Sequence, residues 1–261
     1  MLNEINKTLY IPLYGKALVS KSGLIIKDEK AEEIVDKEQI AFKGKSGSKW
    51  LAYYMSIRSA VFDDWTREKI SESKDSVIIH IGCGLDSRFL RVGNTDVIWY
   101  DVDFPDVIEL RKKYYRETEK YRMIKADIRD TDWLSDIKNN GSVTVIAEGL
   151  SMYLKPEELL GFFKRLSVRF EKINLLMDFY TVMAAEMSKY KNPVNDVGVT
   201  EVYGTDNPEF FNFDNFRYIK EHVMTPEKYI NELSTFDKTV FKKLYAGKLS
   251  NKLYKLYKFT K

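Results

Sequence analysis

The first residues in this chain whose types and spacing could do chemistry are two glycines set between apolar runs. Val77-Ile78-Ile79-His80-Ile81 leads into Gly82-Cys83-Gly84 and then into Leu85-Asp86-Ser87-Arg88-Phe89-Leu90. A short Val and Ile run suits a strand buried on both faces of a parallel sheet. Glycines directly after it let the backbone turn sharply and let a ligand approach the main chain where a Cβ would stand. The pair alone is shared by several nucleotide-binding folds and by ordinary strand-to-helix turns, so it predicts a cradle without naming its occupant. A second apolar run ends in Trp99-Tyr100-Asp101-Val102-Asp103. Asp103 follows Gly82 by about 20 residues, the interval at which dinucleotide-binding units place a carboxylate on the ribose hydroxyls. Asp101 and Asp103 share a strand face, and spacing does not choose between them. Where the third glycine of the dinucleotide fingerprint would stand, the chain has Ser87. That glycine lets a helix pack closely on its strand beneath a pyrophosphate. A ligand with a ribose and no pyrophosphate, S-adenosylmethionine above all, therefore suits the residues better than NAD.

Four ordered segments extend this reading: Gly82-Cys83-Gly84-Leu85-Asp86-Ser87-Arg88, Asp101-Val102-Asp103-Phe104-Pro105, Ala126-Asp127-Ile128-Arg129-Asp130, and Ala147-Glu148-Gly149-Leu150-Ser151-Met152-Tyr153-Leu154. In order and spacing they resemble the leucine carboxyl methyltransferase family, which includes bacterial enzymes that methylate polyketide carboxylates. The resemblance runs from about residue 8 to about residue 178. It implies an α/β, Rossmann-like S-adenosylmethionine-dependent methyltransferase fold, with cofactor contacts at Lys16, Arg58, Gly82, Asp103, Asp127, Ile128 and Glu148. The family's arginine matching Arg58 meets the cofactor carboxylate, for which a guanidinium fork is well shaped. By spacing alone Arg58, with Asp63 and Asp64 after it, is a surface ion-pair residue. Asp127 is placed to accept from the adenine amino group, or equally to cap a helix over 130–138. Tyr153 is the aromatic expected to face the methyl acceptor, with a core tyrosine as the alternative.

These residues need a frame. The 261 residues can bury one substantial core and suit a single α/β domain carrying an insertion. Its expected parts are a helical preface (1–72), a cofactor-binding core (76–180), a cap or lid (184–225) and terminal strands (236–261). In the preface, Leu9, Ile11 and Leu13 around Pro12 read as an extended entry to a short helix. Asp28 is a helix cap, and Leu51, Met55, Ile57, Val61, Phe62 and Trp65 give a helical face over 49–70. Pro105 opens a charged helix to about residue 120. Strands at 121–125, 143–147 and 173–177 follow. Ligands of open α/β sheets bind beyond the carboxyl ends of the strands, so Gly82, Asp103, Asp127, Glu148 and Asp178 collect on one rim. In the insertion, Asn192-Pro193, Gly198, Gly204 and Asn207-Pro208 mark irregular chain. Its Phe210, Phe211, Phe213 and Phe216 either line an acceptor pocket or pack onto the core. Partial alternation in 236–246 and 249–259 suggests a hairpin about Gly247.

Composition narrows the partners. Lys and Arg total 42 against 39 Asp and Glu, and the net charge of +3 implies no broad field for nucleic acid. A single cysteine, Cys83, allows no intramolecular disulfide, and no apolar stretch approaches membrane-spanning length, so a cytoplasmic protein is expected. A sulfonium methyl is electrophilic, and the protein has mainly to hold an oxygen in line with the C–S bond. A carboxylate is already anionic at neutral pH and needs no general base. That matches a chain whose histidines are His80, expected as a satisfied core residue, and His222, a base only for a phenol. Cys83 is not read as a nucleophile, the catalytic side chain is left unassigned, and no metal ligand set is expected. The predicted activity is O-methylation of a small-molecule carboxylate. Methylation of a protein's C-terminal carboxylate is the alternative within this chemistry, and a silent nucleoside-binding protein on the same fold is the alternative outside it.

Overall fold

The computed structural model describes residues 8–73, 77–93, 96–138, 142–188, 201–247 and 250–261. Seven strands form one sheet in the order β3-β2-β1-β4-β5-β7-β6. They are β1 (Val77–Ile81), β2 (Ile98–Asp103), β3 (Tyr121–Lys125), β4 (Ser142–Ala147), β5 (Lys172–Tyr180), β6 (Arg217–Glu221) and β7 (Tyr254–Thr260). The first five are parallel, and β7 runs antiparallel to both β5 and β6. The strand order reverses between β1 and the central β4, the switch point that opens a crevice in such sheets. Every residue of β1 is buried. Its alternate side chains serve two cores: Ile78 packs with the preface helices, while Val77, Ile79 and Ile81 pack on the other face.

The preface is α1 (Tyr10–Lys21), α2 (Glu29–Lys37) and α3 (Lys49–Glu72). The entry expected to be extended is helical, because Pro12 sits in the first turn of α1, where its missing N–H has no intrahelical partner to lose. Asp28 caps α2 by accepting from the Ala31 N–H at 2.9 Å, and Ser48 caps α3. α4 (Arg88–Val92) follows the glycine turn, and α5 (Pro105–Arg111) follows β2. α5 stops well short of residue 120. Residues 130–138 hold a short 3-10 helix, Asp132–Asp136, with no α-helix for Asp127 to cap.

The second half departs further from expectation. α6 (Pro156–Arg169) and α7 (Val182–Ser188) flank β5. The predicted lid contains β6, which is the antiparallel partner of β7, while its segment 189–200, with Asn192-Pro193 and Gly198, lies outside the described residues. The segment expected to be a strand at 236–246 is helix α9 (Thr235–Tyr245), preceded by the short α8 (Glu227–Ile230). Ser234 caps α9 by accepting from the Asp237 N–H at 3.1 Å. Phe241 and its helical neighbour Tyr245 pack against the preface core, a 3.6-residue period that partial alternation had obscured. Phe211 and Phe216 are fully buried among Phe163, Phe179 and Phe259, with Phe213 half-buried against them, so these three pack onto the core, while Phe210 is exposed.

Candidate cofactor and acceptor site

The turn after β1 is built by backbone conformation. Gly82 and Gly84 have φ of +64° and +50°, values that L side chains adopt only with strain. A Cβ on Gly82 would also come within 3.3 Å of the Leu150 side chain. The turn is pinned to β2, where the Gly82 N–H donates to the Val102 carbonyl at 2.8 Å. Asp103 accepts from the Gly84 N–H at 2.7 Å with Oδ2 and from the Phe104 N–H at 2.8 Å with Oδ1. Each carboxylate oxygen keeps a further lone pair for a ligand. Asp101, two residues earlier, is fully buried and occupied. It accepts from Trp99 Nε1 at 2.8 Å, from Tyr121 at 2.6 Å and from Arg111, and it meets His80 Nδ1 at 3.2 Å. The tertiary structure thus separates two carboxylates that strand periodicity could not.

Beyond the strand ends lies a cavity of about 440 Å³, whose wall includes Lys16, Arg58, Gly82, Asp103, Glu148 and Tyr153. Its volume is within the range of small-molecule sites, about 300–1,000 Å³. Two other sequence-predicted positions stand apart from this wall. Arg129 clasps Asp127 through Nε at 2.9 Å and Nη2 at 2.5 Å. Ile128 is buried, and its carbonyl accepts from Arg165 at 2.8 Å. His222 is also away from the cavity wall, directly after β6 and near Lys220 and Lys258.

The cavity floor is a network of paired charges. Arg58, 5% exposed, donates from Nε to Glu148 at 2.8 Å and from Nη1 to the Tyr254 hydroxyl at 2.9 Å, with Asp178 at 3.4 Å. Its Nη2 takes part in none of these bonds and points at Gly149, where a Cβ would stand 3.4 Å away. The second oxygen of Glu148 accepts from Arg88, which also binds Asp63 at 2.7 Å. Lys16 reaches Asp86 at 2.9 Å, and Arg91 ties Asp86 to Asp28 and Asp63. Burial pushes the Glu148 carboxyl up, but Arg58 and Arg88 outweigh it and hold the group at about 2. Burial prevails at Asp103, raised to about 6 against its two backbone donors, and at Asp178, raised to about 6 against Arg58 and Tyr254. Sequence reasoning missed Arg88, Arg91 and Asp86 as members of this floor. Their signal was weak: Asp86, Arg88 and Arg91 lie in and just before a short helix after a buried strand, where nothing in the local pattern tells a solvated charge from a buried one.

These features fit S-adenosylmethionine on the structure's own terms: a glycine cradle, a carboxylate with spare lone pairs beside it, and a guanidinium nitrogen left for an anion. They define a Rossmann-like S-adenosylmethionine-dependent methyltransferase. The chain belongs to the leucine carboxyl methyltransferase family, whose model matches residues 4–167. It is 30% identical over 209 residues to the tetracenomycin polyketide synthesis O-methyltransferase TcmP of Streptomyces glaucescens, covering 79% of this chain and 77% of that protein. It is 28% identical over 188 residues to the S-adenosyl-L-methionine-dependent methyltransferase dpfgK of Gibberella zeae, covering 65% of this chain and 62% of that one. Among solved structures, a DUF574 family protein of Streptomyces avermitilis shares the fold at a TM-score of 0.58 and 12% identity, over 90% of this chain and 89% of that one. No described helix is long and apolar enough to cross a membrane.

Proposed function

We propose that this methyltransferase acts on a carboxylate oxygen of a small molecule by direct in-line displacement. The observation that carries the reading is the state of the candidate bases on the cavity wall, His80 and Cys83, and of Asp178 buried behind it. Burial pushes the pKa of His80 down, and the ring is fixed between Asp101 and Arg88, whose Nη1 lies 3.1 Å from Nε2. Burial pushes the Cys83 thiol well up, which keeps it protonated. Asp178 is enclosed by Arg58, Tyr254 and the Gly149 N–H. A hydroxyl acceptor would need one of these groups to take its proton, whereas a carboxylate arrives deprotonated.

When bound, S-adenosylmethionine supplies an electrophilic methyl on a cationic sulfur. In this reading Arg58 Nη2 and Lys16 bind its carboxylate, Asp103 accepts from the ribose hydroxyls, and Asp127 and Ile128 lie toward the adenine. Tyr153 faces the acceptor. The residues position and exclude water, and no proton moves. A new C–O bond forms as the C–S bond breaks, the bonding pair leaves with sulfur, and the opposite charges of acceptor and sulfonium cancel. That cancellation is favoured in a low-dielectric site. Incubation with S-adenosylmethionine and benzoate, 2-naphthoate, hexanoate or a peptide ending in leucine tests the reading, with methyl esters detected by mass spectrometry. Esters of the small acids are expected. Esterification of the peptide alone would favour the protein substrate, and no ester at all would refute carboxylate methylation.

A further inference from the structure

Five tyrosines, Tyr54, Tyr153, Tyr180, Tyr245 and Tyr254, line the cavity, and their hydroxyls are not equivalent. Tyr254 donates to Asp178 at 2.6 Å and accepts from Arg58. Tyr153 is hydrogen-bonded to Thr8, and Tyr180 is also engaged. Tyr54 and Tyr245 form a stacked pair, with centroids 5.1 Å apart and planes at 27°. Among the described residues neither of their hydroxyls has a hydrogen-bond partner. Burial pushes both phenols up, so both remain protonated donors. A phenol donor with no protein partner on the wall of an open cavity is available to a ligand's acceptor oxygen.

The cations of the wall point to the same division of labour. Lys16 pairs with Asp86, and Arg58, one turn along α3 from Tyr54, directs its donors to Glu148, Tyr254 and Asp178, with Nη2 left for the cofactor. A cation on the acceptor would in any case work against transfer, because the carboxylate loses its charge on the way to the ester. Such a cation stabilises the ground state more than the transition state. Neutral phenols orient the same oxygen with less of that penalty.

Resting on the carboxylate reading above, we propose that Tyr54 and Tyr245 are the acceptor-binding residues, a pair of neutral donors that hold one carboxylate oxygen while the other faces the methyl. Tyr54 is on α3 and Tyr245 is the last residue of α9, so the preface and the C-terminal helix meet at the acceptor.

The test uses Tyr54→Phe and Tyr245→Phe, which remove one oxygen each and keep the stacked rings. KM is measured with whichever of benzoate, 2-naphthoate and hexanoate the wild type turns over best, beside S-adenosylmethionine affinity by calorimetry and the melting temperature. Each variant is expected to raise the acceptor KM about tenfold or more, the loss of a hydrogen bond to a charged group, with cofactor Kd within twofold and melting unchanged. Acceptor KM unchanged in both variants, with turnover intact, overturns the clamp and leaves carboxylate methylation standing. Equal losses of cofactor affinity and melting temperature identify a structural role and overturn it as well. No turnover of any of the three acids by the wild type defeats the underlying reading, and the clamp with it.

Discussion

Two inner regions of this molecule are built on opposite principles. On one side of the sheet, Phe163, Phe179, Phe211, Phe216 and Phe259 interlock with ring centroids 5.2 to 6.2 Å apart. At the strand ends, Arg58, Asp63, Asp86, Arg88, Arg91 and Glu148 form a network of paired charges. The aromatic cluster supplies apolar burial and offers nothing for a ligand to bind. The charged floor gains little net stability, because desolvation offsets the attraction, yet removing one partner leaves the others buried and unpaired. The comparison teaches that the rigidity of the cofactor site comes from mutual constraint among ions, while the domain's cohesion comes from elsewhere.

The largest expected effects set the two regions side by side. Phe211→Ala and Arg88→Met should each cost about 3–5 kcal/mol, the first by opening a cavity and the second by taking one buried cation from Glu148, Asp63 and Asp86, which keep only Arg58, Arg91 and Lys16. Denaturant unfolding measures both. Only Arg88→Met should also weaken S-adenosylmethionine binding in the protein that remains folded. Parallel loss of cofactor affinity in Phe211→Ala would erase the distinction.

Next in size is the pair of aspartates on β2. Asp103→Ala should weaken cofactor binding by about 1.5–3 kcal/mol, the range for hydrogen bonds to a charged group, as read by calorimetry. Asp101→Ala should instead lower stability. If Asp101→Ala abolished binding while Asp103→Ala left it intact, the assignment of the ribose carboxylate would be wrong. Gly82→Val belongs to the same tier. Its φ of +64° strains any branched residue by about 1–3 kcal/mol, and the side chain intrudes on Leu150, so a folded protein deficient in cofactor binding is expected.

The smallest effect is a dependence on pH. Asp103 is raised from its ordinary 3.8 to about 6, so between those values the folded state binds more protons than the unfolded state and stability falls as pH rises. Asp103→Asn in the cofactor-free protein should remove that fall, making the variant relatively more stable at pH 7 than at pH 5. Asp101 is lowered to about 2, where Arg111, His80 and Tyr121 overcome the effect of burial. Its contribution is present above pH 4 and lost as pH falls toward 2, so Asp101→Asn should cost stability at pH 7 and progressively less in acid. Identical pH profiles for the two variants would show that the carboxylates are not in opposed environments.

Much of the cofactor half was written in local sequence. The β1 run, the two glycines and a carboxylate at the end of β2 lie within one strand-helix-strand unit, where side-chain period and turn chemistry act over a few residues. The order of the four motifs likewise fixed the family. Local pattern could not show that Arg58 is buried, because its partners Glu148 and Asp178 arrive from distant strands. Nor could it assign α9, whose partial alternation fits a strand until Phe241 is seen against the preface core. Phe211, Phe213 and Phe216 carried equal weight as pocket or core until β6 drew them onto the core with Phe163, Phe179 and Phe259. Sequence alone determined which backbone turns and which carboxylate types exist. Burial, pairing and the meeting of Tyr54 with Tyr245 were decided by the tertiary structure, because desolvation and ion pairing depend on what packs from the rest of the chain.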